Sequence, residues 1–488
     1  MIQSFSSFCI IIIVPFMLNA QEKLVLSLAQ CIEIGRSNSP AAHIVYSEFE
    51  ATRLDYNSFY AGLYPQLSLS MTAPQYNSSI SQITLDDGTS RYVTRKEAYS
   101  SVNLSIQQQI PWTGGSFSVS SGIERLDLFG DTESYLWRSS PLFMQYRQPI
   151  FQFNSLHWQK RLFDLQYRIA EKRLQEDIEQ IAMDVSEYYF NFYLSQISLD
   201  NAMANFSIND SIFVISRGRY QVGKIAENDL LQSELKRLES RSQVNRARLD
   251  YKRAQEDLRI NLGLPENRKI ELLPPANILV MKIDPDLAVE QARKNRSDPL
   301  NYTFRKMVSQ RDVEQARSES GLTGSMVASY GYNKSNNTND ISLLYKDPLD
   351  QQFFSLGFEI PLFTWGQGAA QIEAQHSRQQ AVEITVNLSE QEFYENVYFQ
   401  ALEVAYLQNQ VLLSAKADTI AQRRFEVSKN RYLIGSIDIT NLFIAQNEKD
   451  GARREYIDNQ RRFWFAYYLL RQMTLYDFIT NQPIIIDD

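Results

Sequence analysis

The sequence contains two long stretches that are almost free of glycine and proline and that match each other in length. The first lies between Pro149 and Gly223 and the second between Pro361 and Gly435, and both intervals are 74 positions. Apolar residues in the first stretch follow the alternating spacing of three and four that is typical of a coiled-coil helix. A helix of some 70 residues is roughly 105 Å long. A globular core does not require such a length, so each stretch is predicted to be a rod that spans a wide gap.

The matched stretches lie inside larger matched halves, which indicates a duplicated chain. Pro40 matches Pro299 at an offset of 259, whereas the offset between the two rods is 212. The first half therefore carries about 47 more residues between its first strand and its rod. We predict a first structural repeat over 21–284 and a second over 285–488.

Each repeat is predicted to contain a helix broken by proline, strands, a long helix, a glycine turn and a shorter helix. Alternation of apolar and small or polar residues with period two predicts the strands. In the first repeat we expect strands at about 66–73 and 141–149, an added hairpin at about 99–124, a long helix at 152–222 and a helix at 227–262. In the second we expect strands at about 324–332 and 352–361, a long helix at 365–434 and a helix at 439–474. The sequence leaves open whether the added hairpin joins the same wall as the other strands or folds beside it.

The N-terminal segment is apolar from Phe8 to Leu18 and ends in Leu18-Asn19-Ala20, so residues 1–20 are predicted to be a signal peptide. Beyond it, no continuous apolar run reaches the 18 residues that a transmembrane helix requires, which leaves β-strands as candidates for a membrane span. A net charge of −8 argues against nucleic acid as a partner. Cys31 is the single cysteine outside the predicted signal peptide, so neither an internal disulfide nor a cysteine metal site is expected.

No enzyme site and no cofactor or metal site is predicted. The stretch from Gly218 to Lys224 has the spacing of a phosphate-binding loop, but Ile225 stands where that motif needs Ser or Thr, and a helical pattern precedes it. The three histidines are scattered and none has a metal-binding spacing. Serines are abundant, but none lies in a recognisable nucleophile motif.

The strands point to a membrane wall that several copies of the chain share. A tilted strand of about ten residues spans a bilayer, and alternating faces suit lipid on one side and water on the other. Four strands cannot close on themselves, and six leave two edges whose unpaired amides would each cost several kcal/mol in hydrocarbon. Three copies of a duplicated chain would give 12 strands, or 18 if the added hairpin joins the wall.

These features together resemble the TolC-like outer-membrane efflux proteins. The resemblance covers nearly the whole chain after the apolar N-terminal segment. It rests on the duplicated order of elements, on Arg-Tyr-x-x-Gly-x-Ile in both turns, and on the Pro-x-Phe junctions that begin at Pro149 and Pro361. The family implies a fold that is mainly α with membrane β. In it, a shared trimeric β-barrel of 12 strands in the outer membrane continues as a long α-helical coiled-coil barrel in the periplasm.

By this resemblance, the two glycine turns form a closable aperture at the periplasmic tip. The residues expected there are Tyr220, Gly223, Asp229, Tyr432, Gly435 and Asp438. We expect Asp229 and Tyr432 to hydrogen-bond between neighbouring helix pairs and to hold the tip closed. The alternative is that the turn residues only shape a tight helical hairpin. The strand-to-helix junctions are expected at Pro149, Phe151, Pro361 and Phe363, where the prolines end strands and open helices.

The function implied by the resemblance is that of the exit duct of a tripartite efflux pump in a Gram-negative bacterium. Its expected partners are two further copies of the chain, a periplasmic adaptor protein, an inner-membrane transporter of the RND or ABC type, and outer-membrane lipid. Two alternatives remain open. One is the exit duct of a type I protein secretion system, and the other is a periplasmic coiled-coil scaffold without a pore.

Overall fold

The structure is a computed structural model that describes residues 24–84, 86, 88–129, 134–266, 269–275 and 281–484. The predicted signal peptide at 1–20 lies outside these residues. The chain divides into two compact units. The first consists of the described residues within 1–47, 174–296 and 395–488, and the second of those within 48–173 and 297–394.

Most of the described residues are helical. The helices are α1 Leu28–Asn38, α2 Pro40–Gly62, α3 Ser155–Gln221, α4 Glu227–Asn261, α5 Pro285–Asn295, α6 Asp298–Glu319, α7 Gln367–Leu433 and α8 Ile439–Thr474. α3 and α7 are each 67 residues long, so the two copies of the rod have the same length. None of the helices in the described ranges combines the length and the apolar content that a membrane span requires. The expected fold class, mainly α with strands and internally duplicated, is confirmed.

The helical segment at the start of each repeat is interrupted near its proline. Ser39 separates α1 from α2, and its Oγ accepts a hydrogen bond from Ala42 N at 3.0 Å, which makes it the N-cap of α2. Pro40 is the first residue of α2, a position where its missing N–H leaves no helical bond unmade. In the second repeat α5 ends before Arg296, and Pro299 lies in the first turn of α6.

The largest sheet has six antiparallel strands and belongs to the second unit. The strands of the described residues are β1 Leu24–Leu26, β2 Gln66–Thr84, β3 Ser90–Ile110, β4 Gly115–Phe129, β5 Ser134–Ile150, β6 Ile270–Leu272, β7 Thr323–Asn336, β8 Leu349–Glu359, β9 Tyr476–Asp477 and β10 Gln482–Pro483. The order in the large sheet is β2-β3-β4-β5-β7-β8, and every neighbouring pair is antiparallel. β1 with β6 and β9 with β10 form two short ladders in the first unit.

The hairpin expected at about 99–124 consists of β3 and β4 and lies within the large sheet. β3 pairs with β2, and β4 pairs with β5, so the hairpin stands between the first and last strands of the first repeat. It begins earlier than predicted, at Ser90, and ends later, at Phe129. The strands expected at 141–149, 324–332 and 352–361 overlap β5, β7 and β8.

Strand β2 is much longer than the sequence predicted. We expected it to end near 73, whereas it continues to Thr84 and stays paired with β3. The additional part is rich in Ser, Asn and Gln, and the alternation of apolar residues on which the prediction rested is weak there. The register shifts between Thr72 and Gln75. That irregularity lies at Ala73-Pro74, and an edge strand tolerates proline at such a bulge.

Both rods begin slightly later than predicted, for different local reasons. α3 begins directly after Asn154 rather than at 152, because Asn154 Oδ1 accepts a hydrogen bond from His157 N at 3.0 Å and caps the helix. α7 begins at Gln367 rather than at 365. Trp365 and Gly366 have φ angles of 52° and 82°, and a helix cannot continue through that region of backbone conformation.

The core of the first unit contains a buried ion network centred on α3. Glu179 has a side chain only 1% exposed and forms ion pairs with Arg36 and Arg471. Arg471 also pairs with Asp477 at 2.9 Å. Burial alone would raise the pKa of Asp477, but the hydrogen bond from Tyr467 and the charge of Arg471 outweigh it and lower that pKa. Because a buried charge without its partner is costly, the network fixes α1 and α8 against α3.

Candidate functional site at the two helix turns

Both rods end in the same hydrogen-bonded turn. Gly223 N donates to Tyr220 O at 2.9 Å, and the next amide, Lys224 N, donates to Arg219 O at 2.8 Å. Gly435 repeats the first of these bonds with Tyr432 O at 2.9 Å. This pair of bonds is the Schellman motif, in which the residue after the helix adopts a left-handed conformation. The two glycines have φ angles of 70° and 78°, which explains why the same residue stands at both positions.

Tyr432 is the buried aromatic residue of the second turn. Its side chain is 5% exposed and packs in an apolar cluster at the ends of the helices. The other buried members of the cluster are Ile212, Phe425, Ile439, Leu442 and Phe443. The hydroxyl of Tyr432 lies 3.2 Å from Ser216 Oγ, and Ser216 is fully buried. The second turn is therefore attached to α3 by a polar contact inside an apolar cluster.

Arg219, from the last turn of α3, covers the end of α7. Its Nη2 donates to Leu433 O at 3.3 Å and lies 3.5 Å from Tyr432 O. Its guanidinium carbon lies 5.3 Å from the centre of the Tyr432 ring, within the range of a cation–π contact. A positive charge at the C-terminal end of a helix also interacts favourably with the helix dipole.

The first turn has the same backbone but a different environment. Tyr220, which matches Tyr432 in the duplication, is 40% exposed, and the neighbouring Val222 is 67% exposed. Arg431, which matches Arg219, is exposed. In the single chain, Tyr220 and Val222 of the first turn are therefore exposed, whereas Tyr432 of the second turn is buried.

The helices that follow the two turns also begin differently. Asp438 is the N-cap of α8, because its Oδ1 accepts a hydrogen bond from Asn441 N at 2.8 Å. Ala226 occupies the N-cap of α4 and offers no side-chain bond. Asp229 lies in the first turn of α4, where a carboxylate interacts favourably with the helix dipole.

The structure thus brings the predicted aperture residues together in two sets. Tyr220, Gly223 and Asp229 lie at the first turn, and Tyr432, Gly435 and Asp438 lie at the second. Ser216 and Arg219 were not among the predicted aperture residues, and the structure shows both in contact with Tyr432. No motif in the sequence pairs these two residues with Tyr432, which lies at the end of the other rod. The hydrogen bond expected between Asp229 and Tyr432, which would join neighbouring helix pairs, stays a prediction.

The four junction residues lie where the large sheet meets the rods. Pro149 is part of β5 and stands opposite Ser325. Phe151 has a φ angle of 59° and is 64% exposed. Pro361 follows the end of β8, and Phe363 is 71% exposed, with its ring 4.5 Å from that of Trp365.

The described residues contain no group of three or more His, Cys, Asp or Glu side chains arranged to hold a metal ion. His376 lies 2.8 Å from Arg317 Nη2, a contact with a cation rather than with other metal-ligating groups. Cys31 is buried, and burial raises the pKa of its thiol to about 12. A thiol with a raised pKa is a poor nucleophile at neutral pH.

Comparison with known families gives a match over both repeats. The family model described as outer membrane efflux protein matches residues 37–264 and 288–474. These ranges include both rods, both turns and all six strands of the large sheet. No curated protein sequence matches the chain.

Solved structures of similar fold are bacterial outer-membrane proteins. The CmeC outer membrane channel of Campylobacter jejuni has a TM-score of 0.67 and 13% sequence identity, over 94% of this chain and 87% of that one. VceC of Vibrio cholerae has a TM-score of 0.63 and 13% identity, over 94% and 97%. The open state of the MtrE outer membrane channel of Neisseria gonorrhoeae has a TM-score of 0.60 and 14% identity, over 92% and 88%. At these identities the likeness establishes the fold.

Proposed function

Because the chain belongs to the outer membrane efflux protein family, we propose that it is the exit duct of a tripartite efflux pump. In this role a homotrimer forms a channel in the outer membrane and extends into the periplasm. A periplasmic adaptor protein and an inner-membrane transporter of the RND or ABC type complete the pump. The duct performs no chemistry, and the transporter supplies the energy.

The observation that carries this proposal is the division of the large sheet into two chemically different faces. One row across five adjacent strands, defined by the register, consists of Leu67, Ile106, Val119, Met144 and Tyr330. The adjacent row on the opposite face consists of Ser68, Ser105, Ser120, Phe143 and Gly331. An apolar face beside a mainly small or polar face is what a wall between lipid and water requires.

The apolar face is uncovered in the single chain. Leu67 and Met71 on the edge strand β2 are 67% and 71% exposed. On the opposite edge strand, β8, the exposed fractions are 68% for Phe354, 48% for Leu356 and 53% for Phe358. Exposed apolar side chains on both edge strands of one face mark a surface that lipid or another protein covers. This surface also argues against the periplasmic scaffold, since a soluble coiled coil has no need of it.

The two turns are proposed to form the gate of the duct. Ser216 and Arg219 hold Tyr432 and the end of α7 against α3. These contacts would stabilise the closed conformation of the gate. Between neighbouring helix pairs, Asp229 and Tyr432 would add the expected hydrogen bond. Opening would separate these contacts when an adaptor engages the helices, as in other switches that repack an interface.

Transport and assembly are tested together in cells that lack their own efflux duct. We expect the full-length chain, expressed with its transporter and adaptor, to fractionate with the outer membrane, to cross-link as a trimer and to restore efflux of a fluorescent pump substrate. A soluble, monomeric protein would contradict the proposal. Restored export of a secreted polypeptide instead of small molecules would favour the type I secretion alternative.

The gate is tested separately in planar lipid bilayers. We expect the combined change Tyr432→Phe and Asp229→Ala to raise single-channel conductance, because it removes both partners of the expected hydrogen bond. The change Tyr220→Phe is the matched control, since it removes the equivalent hydroxyl from the exposed tyrosine. Unchanged conductance in the combined variant would eliminate this closing contact and leave the duct itself intact.

A further inference from the structure

We propose that the β3–β4 hairpin is part of the channel wall and that the free edge of β8 pairs with β2 of a second copy of this chain. The inference rests on the proposed duct and specifies how its wall is built. Each copy then contributes the six strands of its large sheet, and three copies make a wall of 18 strands. This number differs from the 12 strands that the family resemblance implies.

Both faces of the sheet continue through the hairpin. Ile106 of β3 and Val119 of β4 stand between Leu67 and Met144 in the apolar row. Ser105 and Ser120 occupy the corresponding places in the row on the opposite face, and Ser105 Oγ lies 2.8 Å from Ser68 Oγ. A hairpin that folded beside the wall would have no reason to repeat the same alternation in the same register.

The turn of the hairpin is held at the helix end of the sheet. Asn154 Nδ2 donates to Pro111 O at 2.8 Å, while its Oδ1 caps α3. Gln148 Nε2 donates to Thr113 O, also at 2.8 Å. Gly114 has a φ of 74°, and a Cβ there would lie 3.2 Å from Asn154 Cγ, so the turn and the cap are closely packed. The hairpin is therefore attached at the same level at which the other strands pass into helices.

The two edge strands of the sheet can each pair with a further strand. In the described residues β2 and β8 each have a partner on one side only, and all eleven residues of β8 are exposed. Five antiparallel steps separate them, so β2 and β8 run in opposite directions. Rotation of a second copy about the channel axis, which runs along the lumen, leaves the strand directions unchanged and places its β2 antiparallel to β8, which allows a regular ladder. When the helix ends of the two strands stand at the same level, Leu356 of β8 lies on the same face as Leu69 of the neighbouring copy.

A wall of 18 strands has a consequence for transport. The diameter of a closed sheet grows roughly in proportion to strand number, so the lumen would be about one and a half times as wide as that of a 12-stranded wall. Walls of about 16 to 18 strands enclose an open aqueous channel. The strand region would then not restrict cargo, and the helical part and its turns would set the size limit.

Paired cysteine reporters test whether the hairpin lies in the wall. In a Cys31→Ser background, single changes Val119→Cys and Ser120→Cys report on β4. Tyr330→Cys and Ser329→Cys report on β7 as matched controls. In full-length protein in liposomes we expect a charged, membrane-impermeant thiol reagent to label the two serine positions. We expect brominated lipid to quench a fluorophore attached at the other two.

The pattern of outcomes separates this inference from the proposed function. Alternation in both strands supports an 18-stranded wall. If the labelling alternates in β7 but is equal at the two β4 positions, the inference is overturned and the wall of the duct has fewer strands. Loss of alternation in both strands contradicts the membrane channel itself, and with it both proposals.

The edge contact is tested by cross-linking two copies. We expect protein that carries Leu356→Cys together with Leu69→Cys to form interchain disulfides on mild oxidation, with covalent products up to a trimer. Leu356→Cys with Ser68→Cys is the matched control, because Ser68 lies on the opposite face. Failure of the first pair, and of the pairs of Leu356→Cys with Leu67→Cys and Met71→Cys, would overturn the edge pairing.

Discussion

The two helix turns have the same backbone and different surroundings. Each ends in a glycine of positive φ and carries the same pair of hydrogen bonds. In the second turn, Tyr432 is buried, bonded to Ser216 and covered by Arg219. In the first turn, the matching Tyr220 is 40% exposed. Duplication has thus kept the turn geometry, while the packing of the side chains has become specific to each copy.

The difference suggests a division of roles between the turns. The second turn is fixed from within the chain, since its tyrosine, its N-cap Asp438 and its carbonyl groups all have partners. The first turn has an uncapped helix start at Ala226 and exposes Tyr220 and Val222. We therefore expect the first turn to meet a neighbouring copy and the second to hold the chain's own hairpins together.

The largest expected difference follows removal of the two tyrosine side chains. Tyr432→Ala leaves a cavity in an apolar cluster, and truncation of a buried aromatic residue costs about 3–5 kcal/mol. Tyr220→Ala removes a partly exposed ring and should cost about 1 kcal/mol or less. The measurement is the free energy of local opening at each turn, from hydrogen exchange followed by mass spectrometry. Equal costs would show that the assembled protein buries both tyrosines and would remove the basis of the comparison.

Replacement of the turn glycines should, by contrast, affect both turns alike. Gly223→Ala and Gly435→Ala place a Cβ on a left-handed residue, which costs about 1–2 kcal/mol. A Cβ at either position would meet nothing within 4 Å, so the cost is conformational. Gly218→Ala is the control, because Gly218 lies inside α3 with similar free space. There alanine should stabilise the helix by about 0.8–1 kcal/mol. A much larger cost at Gly223 would reveal a close neighbour in the assembly.

The helix starts offer a smaller, reciprocal test. Asp438→Ala removes the N-cap bond of α8 and should cost about 1 kcal/mol in local opening. Ala226→Asp introduces the missing cap on α4 and should stabilise that helix by a similar amount. Hydrogen exchange at the first turns of α4 and α8 measures both changes. If Ala226→Asp weakened α4, the surroundings of Glu227 and Asp229 would be too negative to accept a further carboxylate.

The sequence predicted the repeating parts of the fold well. The rods could be predicted because both stretches are almost free of glycine and proline over some 70 residues, and because apolar residues in the first stretch follow a spacing of three and four. The ends of elements were harder to predict where a single side chain decides them. Asn154 caps α3, so this helix starts later than predicted. The positive φ angle of Trp365 likewise delays the start of α7. The polar half of β2 could not be recognised, since only its pairing with β3 makes it a strand.

The candidate site could be located from the sequence, but its contacts could not be identified. The paired motif around Gly223 and Gly435 indicated two equal turns, and the structure has both. Nothing in the motif indicates that Tyr432 is buried and Tyr220 exposed, because that difference depends on how the helices pack. Arg219 could not be assigned to Tyr432 either, since 213 positions separate them along the chain.

The finest test of the comparison is a double-mutant cycle on the contact that only the second turn has. Ser216→Ala and Tyr432→Phe each remove one hydroxyl, and the cycle isolates the energy of their interaction. The O···O distance of 3.2 Å is long for two hydroxyl groups, whose bonds are usually 2.5–3.0 Å. We therefore expect a coupling of about 0.5 kcal/mol, at the low end for a hydrogen bond.

The matching cycle at Ser428→Ala and Tyr220→Phe should give no coupling in the isolated chain, because Tyr220 is exposed, whereas Tyr432 is buried. The free energy of local opening, measured on the assembled protein, shows whether assembly creates a coupling at the first turn. A coupling that appears at the first turn only after assembly would place Tyr220 at a contact between copies. A coupling above about 1.5 kcal/mol at the second turn would mean that the Ser216–Tyr432 contact shortens in the proposed closed conformation. The hydroxyl pair would then contribute to closure directly, beyond the packing of the ring.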